Sequence, residues 1–164
     1  PHMELFFEED ASRFREGHLE GALLFIPYGC AIDHFQHMVY ANPSATPDDR
    51  AAMWQECERL YLPHRNYEGL PVYQSGRFWQ RQRHIYVYPF YYIDYCLAQT
   101  CALQFWDRAE SDRDEAMATY RDLCKLGGRK PFTGLVAAAG LRNPLQEGCL
   151  KDVASRVTAF LSLD

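Results

Sequence analysis

The chain has 164 residues, 48% of them hydrophobic, and a formal net charge of -5. That length fits one domain with a real apolar core, and an acidic balance lacks the basic patch a nucleic-acid partner needs. The longest apolar stretch, GALLFIPYGCAI, runs about 12 residues around Pro27, short of the roughly 20 that cross a membrane.

Pro1 and His2 read as a cloning scar, with a single domain over 3–164. The opening PHMELFFEED is acidic, without the basic start of a signal peptide, which points to a cytoplasmic protein. Residues 4–26 read as a helix whose apolar face takes Leu5, Phe14, Leu19, Leu23 and Ile26, with Pro27 and Gly29 bending or breaking it. A second helix follows through CAIDHFQHMVYA. ANPSATPDDR is punctuation, in which Thr46 is the N-cap of a third helix, Pro47 its N1 and Asp49 its N3. This helix stops before Pro63, and 63–76 is loop.

FWQRQRHIYVY is ambiguous between short helix and extended chain. Pro89 is expected to open a long helix at FYYIDYCLAQTCALQFWDRAE. DRDEAMATYRDLCKLGG is the next, ended by Gly127-Gly128, and PFTGLVAAAG runs from Pro131 to Gly140. In the last helix Leu150, Val153, Val157 and Leu161 recur at spacings of 3, 4 and 4. The fold class is all-α, with about six helices. The cysteines Cys30, Cys57, Cys96, Cys101, Cys124 and Cys149 make no C-x-x-C pair and read as buried thiols in a reducing compartment.

Three groups of residues are able to carry chemistry. His34 and His37, in DHFQH, share a helix face at i, i+3, which suits a metal pair or two packed imidazoles; the sequence is not the H-E-x-x-H of a zincin. Arg77, Arg81 and Arg83 cluster as a carboxylate clamp or a solvated face. Most distinctive is RHIYVYPFYYIDY, a histidine and five tyrosines within thirteen positions. If the run is helical, Tyr88, Tyr92 and Tyr95 fall at i, i+4 and i+7, and Tyr91 meets Tyr95 at i+4. His84 and these phenols then either form an aromatic stripe in a bundle or converge as donors on a developing oxyanion.

HIYVYPFYYIDYCLAQ, preceded by GRFWQRQ, closely resembles the oligoendopeptidase F-type enzymes of the M3 (thimet oligopeptidase-like) zinc metallopeptidases. MELFFEED, LLFIPYGCAIDHFQHMVYANP, LYLPHR, DLCKLGG and NPLQEGCLKDV resemble the same family in the same order. The resemblance implies a helical zincin-type catalytic domain around a deep channel, acting on short peptides, of which this chain is the C-terminal part. It implies a zinc ion held by an HExxH pair and a later Glu. It matches His84 to the family's substrate-binding His and Tyr95 to its oxyanion Tyr, with Tyr92 and Tyr91 next and Tyr88 a weaker match.

The chain departs from the pattern where the metal is held. It has no HExxH, and no Glu on the expected zinc helix; in the family both precede the MELFFEED stretch, and His34 falls where a Glu is expected. The expectation is a fragment of a zinc peptidase that binds no zinc itself, is inactive alone, lacks the N-terminal half of its domain, and self-associates through the apolar faces left bare. Two other readings stay open: a natural metal-free peptide-binding module, and a small helical protein that binds metal through His34 and His37.

Overall fold

Helices carry every regular segment among residues 2–162, those described by the computed structural model. In chain order they are α1 (Glu4–Phe7), α2 (Ala11–Ala41), α3 (Pro47–Tyr61), α4 (Pro71–Gln74), α5 (Arg83–Val87), α6 (Tyr92–Ser111), α7 (Arg113–Lys125), α8 (Phe132–Ala138) and α9 (Cys149–Leu161). Six have seven residues or more, as expected; α1, α4 and α5 are single turns from stretches read as loop, as ambiguous or as part of a longer helix. Pro1 of the expected scar lies outside the described residues. The chain divides into two compact units, residues 25–96 and residues 1–24 with 97–164.

In the unit of residues 25–96, of the bend or break expected at Pro27 the break does not occur: Pro27 lies inside the unbroken 31-residue α2. Proline removes one helix hydrogen bond and costs about 3 kcal/mol in a bare helix. Here the flanking turns are fixed by packing, since Ile26, Ala31, Ile32 and Phe35 are all buried. Phe35 meets Trp54 of α3 edge-on at 5.5 Å, and Cys57, Leu62, Trp79 and Tyr92 close the same core. Burying a side chain of this size contributes about 1.5–3 kcal/mol, so the core outweighs one missing backbone bond.

The start of α3 is as expected. Thr46 Oγ1 accepts from the Asp49 amide at 3.2 Å, Asp49 Oδ2 accepts from the Thr46 amide at 2.9 Å, and Pro47 stands at N1. That reciprocal pair satisfies two end donors of the helix. The loop after α3 is pinned by a buried acid: Tyr67 donates to Glu58 Oε1 at 2.8 Å, and Arg65 lies over the Tyr28 ring at 5.2 Å. Burial raises the Glu58 carboxyl above its ordinary range, against the hydrogen bond from Tyr67.

In the unit of residues 1–24 and 97–164, the single helix expected over 4–26 is interrupted. Glu8 has φ 45° and ends α1, a 3-10 turn spans Glu8–Asp10, and α2 starts at Ala11. Val136, Ala139 and Leu141 form a core with Cys101, Phe105 and Leu123. α8 ends in a double closure: the Gly140 amide bonds the Ala137 carbonyl at 2.9 Å and the Leu141 amide bonds the Val136 carbonyl at 3.0 Å. Gly140 has φ +62°, the left-handed geometry this ending needs. The buried stripe of α9 is Cys149, Val153 and Val157, at i, i+4 and i+8. Leu150, expected on that stripe, is 39% exposed. Cys57, Cys96 and Cys149 are buried and Cys30 and Cys101 half-buried, whereas Cys124 is exposed rather than buried.

Candidate functional site

The tyrosine run is built on a turn, not on one helix. α5 ends at Val87, and α6 begins only at Tyr92 rather than at Pro89, so Tyr88 and Tyr91 precede it. The helical i, i+4 and i+7 relation therefore holds for Tyr92 and Tyr95 alone. The turn contains Phe90 at φ +62°, a strained geometry for a side chain other than glycine. It is held by Gln36, 1% exposed in α2, whose Oε1 accepts from the Phe90 amide at 2.9 Å. The Phe90 ring packs at 4.9 Å from each of His37 and Tyr40.

The turn gathers the residues that the sequence singled out. The Tyr95 hydroxyl lies 3.4 Å from His84 Nε2, with the rings perpendicular and 5.7 Å apart. Tyr91 and Tyr92 each bring a ring to 5.3 Å from that of Tyr95, and Tyr92 is 5.1 Å from His84. Tyr88 stands farther out, 6.4 Å from His84. Tyr91 is 47% exposed and Tyr95 38%, whereas Tyr92 is 8% exposed. One phenol thus belongs to the core, and the others line an open face. Burial pushes the Tyr92 hydroxyl up to about 12, with smaller contributions from Tyr28, Cys96 and Tyr95. Partial burial also raises Tyr95, followed by the effect of Tyr91. Both phenols therefore keep their hydrogens near neutral pH.

Behind His84 stand two residues that the sequence did not single out. Gln82 Nε2 donates to His84 Nδ1 at 2.8 Å, and Gln82 Oε1 accepts from the Tyr28 hydroxyl at 2.9 Å. Gln82, two residues from His84, was findable as its neighbouring amide. Tyr28 is 54 residues from Gln82 and only the fold brings it there. Gly29 completes the seat: a Cβ at that position would stand 2.1 Å from Cys96 Sγ and 3.8 Å from the Tyr92 ring. Its lack of a side chain lets the first turns of α6 approach α2.

The other candidates have different partners. His34 Nδ1 hydrogen-bonds the Tyr61 hydroxyl at 3.2 Å, while His37 Nε2 lies 3.4 Å from Asp33. Among the described residues no group of three or more His, Cys, Asp or Glu is placed to hold a metal ion. Arg77 pairs with Asp48 at 2.6 Å and Arg81 lies over Phe78 at 4.3 Å, so these two form no joint clamp. In the other unit a cleft of about 450 Å³ is lined by Asp107, Arg108, Arg142, Asp152 and Arg156, among others. Its arginines are occupied: Arg108 by the Ala139 and Gly140 carbonyls, Arg142 by Asp152, Arg156 by Asp107. Among the described residues no helix is long and apolar enough to cross a membrane.

Comparison with protein-family models and with curated proteins finds no match. Solved structures do match. A protein assigned as oligoendopeptidase F is 51% identical over 99% of this chain, with a TM-score of 0.94. Pz peptidase A, solved with an inhibitor, is 50% identical over 98%, also at 0.94. A protein from Bacillus anthracis str. Ames assigned as oligoendopeptidase F is 45% identical over 99%, at 0.80. The chain spans 29%, 28% and 26% of those proteins. With half its residues shared and its helices superposing throughout, this chain belongs to the oligoendopeptidase F family, of whose members it represents little more than a quarter.

Proposed function

We propose that this chain is the C-terminal, substrate-facing part of a zinc-dependent oligoendopeptidase that cleaves short peptides in the cytoplasm. The observation that carries this reading is the pairing of His84 Nε2 and the Tyr95 hydroxyl, 3.4 Å apart beside an open face. When water attacks a peptide carbonyl, negative charge develops on the carbonyl oxygen. Donors fixed beforehand at that position stabilise the charge without reorganising, and losing one costs about 10²–10³ in kcat. His84 and Tyr95 take that role. Tyr91, exposed beside Tyr95, contacts the peptide, and Tyr92 also belongs to the wall, anchoring it from the core side.

The residues present do not fit a zinc site, since no suitable group of ligands stands among those described. The metal, its ligands and the base that activates water are assigned to the N-terminal part of the same domain, outside this chain. The chain alone is then expected to be inactive. Its bare apolar side chains, Leu5 at 77% and Phe6 at 75% exposure among them, are expected to pair with that missing part or, in its absence, with other copies.

The test measures cleavage of a quenched short peptide. The purified chain should cleave nothing with or without added zinc. The longer protein should cleave it, and Tyr95→Phe or His84→Asn in that protein should lower kcat by about 10²–10³ with a smaller change in KM. Zinc-dependent cleavage by the chain alone would overturn the assignment, and so would an unchanged kcat in both variants.

A further inference from the structure

A neutral imidazole has a single N–H, and the groups behind His84 determine which of its nitrogens carries it. The amide nitrogen of Gln82 has hydrogens and no acceptor capacity, so His84 Nδ1, 2.8 Å away, must accept. The proton of the neutral ring is then on Nε2, facing the Tyr95 oxygen at 3.4 Å. What orients the Gln82 amide is Tyr28. The Gln82 carbonyl oxygen has no hydrogen to give. The one hydrogen of Tyr28 therefore goes to Gln82 Oε1, at 2.9 Å. Every bond in the series Tyr28, Gln82, His84, Tyr95 runs in one direction.

We propose that Tyr28 and Gln82 are positioning residues, which hold the proton of neutral His84 on Nε2 and leave the Tyr95 hydroxyl hydrogen pointing outward as the terminal donor. The inference rests on the reading of His84 and Tyr95 as the oxyanion-side pair, and within that pair it gives the oxyanion contact to Tyr95, with His84 donating to the phenol oxygen. Such a chain polarises each successive bond. Gln82 and Tyr28 themselves never touch the substrate. The amide is also chemically specific: a carboxylate there accepts from both neighbours and reverses the far end of the chain. Nδ1 then carries the proton, Nε2 becomes an acceptor, and the Tyr95 hydrogen turns inward to it.

Nitrogen-15 NMR of the histidine rings in this chain tests the order directly, at alkaline pH where imidazoles are neutral. A His84→Asn variant identifies the His84 signals. The wild type should show an unprotonated Nδ1 and a protonated Nε2. In Gln82→Glu the two shifts should exchange. In Tyr28→Phe, where the amide loses its orienting donor, the protonated fraction at Nε2 should fall. A wild type protonated at Nδ1, or a Gln82→Glu ring that keeps the wild-type shifts, overturns the inference. In the longer protein, Gln82→Glu should lower kcat at least about tenfold with KM little changed. Exchanged shifts with an unchanged kcat would support the hydrogen-bond order and refute the oxyanion role of the pair, so the two failures are distinct.

Discussion

Gly29 is the point at which a single methyl group should disturb the tyrosine wall. A Cβ there would lie 2.1 Å from Cys96 Sγ, well inside contact distance, and 3.8 Å from Phe25 and Tyr92. Cys96 cannot easily yield, because it is 3% exposed and its sulfur lies 3.6 Å from the Ile26 carbonyl. Adding a carbon to a filled interior costs about 1–3 kcal/mol. Replacing glycine by alanine inside a helix returns up to about 1 kcal/mol. Gly29→Ala should therefore destabilise the unit of residues 25–96 by about 1–2 kcal/mol. Cys96→Ala removes the clashing atom and leaves a small hole that the new methyl group fills. The double variant should then be more stable than the sum of the single changes predicts, by about 1–3 kcal/mol. Urea unfolding followed by tryptophan fluorescence, in a Trp106→Phe background so that Trp54 and Trp79 report, gives all four values. Additivity within about 0.5 kcal/mol would refute the claim that this sulfur meets this glycine.

Gln36→Leu should leave the Phe90 amide without its acceptor and cost about 1–3 kcal/mol, with faster hydrogen exchange at that amide. Thr46→Ala should remove the cap of α3 and cost about 1 kcal/mol in urea unfolding, while Thr46→Ser should cost far less. Tyr92 binds its proton more tightly folded, at about 12, than at its ordinary value of 10.0. Its contribution is fully present below about pH 10 and is lost as pH rises toward about 12; a stability profile of Tyr92→Phe should lack that part of the alkaline decline. Isothermal titration of zinc into the chain should show no stoichiometric tight site, and a tight one would return His34 and His37 to consideration.

What was legible in the sequence follows the range of the interactions involved. The capping box at Thr46 and the closure at Gly140 are made within five or six residues, so local spelling suffices for both. The clustering of the aromatic run was legible for the same reason: His84, Tyr91, Tyr92 and Tyr95 are near neighbours in the chain, and any compact turn keeps them together. Pro27 misled because its cost is local while its compensation, the packing of Phe35 against Trp54 and its neighbours, is not. The register of the tyrosines was misjudged similarly. A helix from Pro89 would place Tyr88 and Tyr91 one turn before Tyr92 and Tyr95, but a buried glutamine in α2, 54 residues away, fixes a left-handed Phe90 and delays the helix.

The same distance separates what the site contains from how it is controlled. A search for chemistry finds His84 and Tyr95 because imidazole and phenol are reactive types. It passes over Tyr28 and Gln82, whose effect lies in the direction of two hydrogen bonds and not in any reactivity of their own. Yet the donor at Tyr95 depends on that direction: with the amide reversed, the same histidine and the same phenol, at the same 3.4 Å, would present a lone pair to the open face instead of a hydrogen. Composition and spacing identify which groups meet; which of them donates is decided by a tyrosine on another helix.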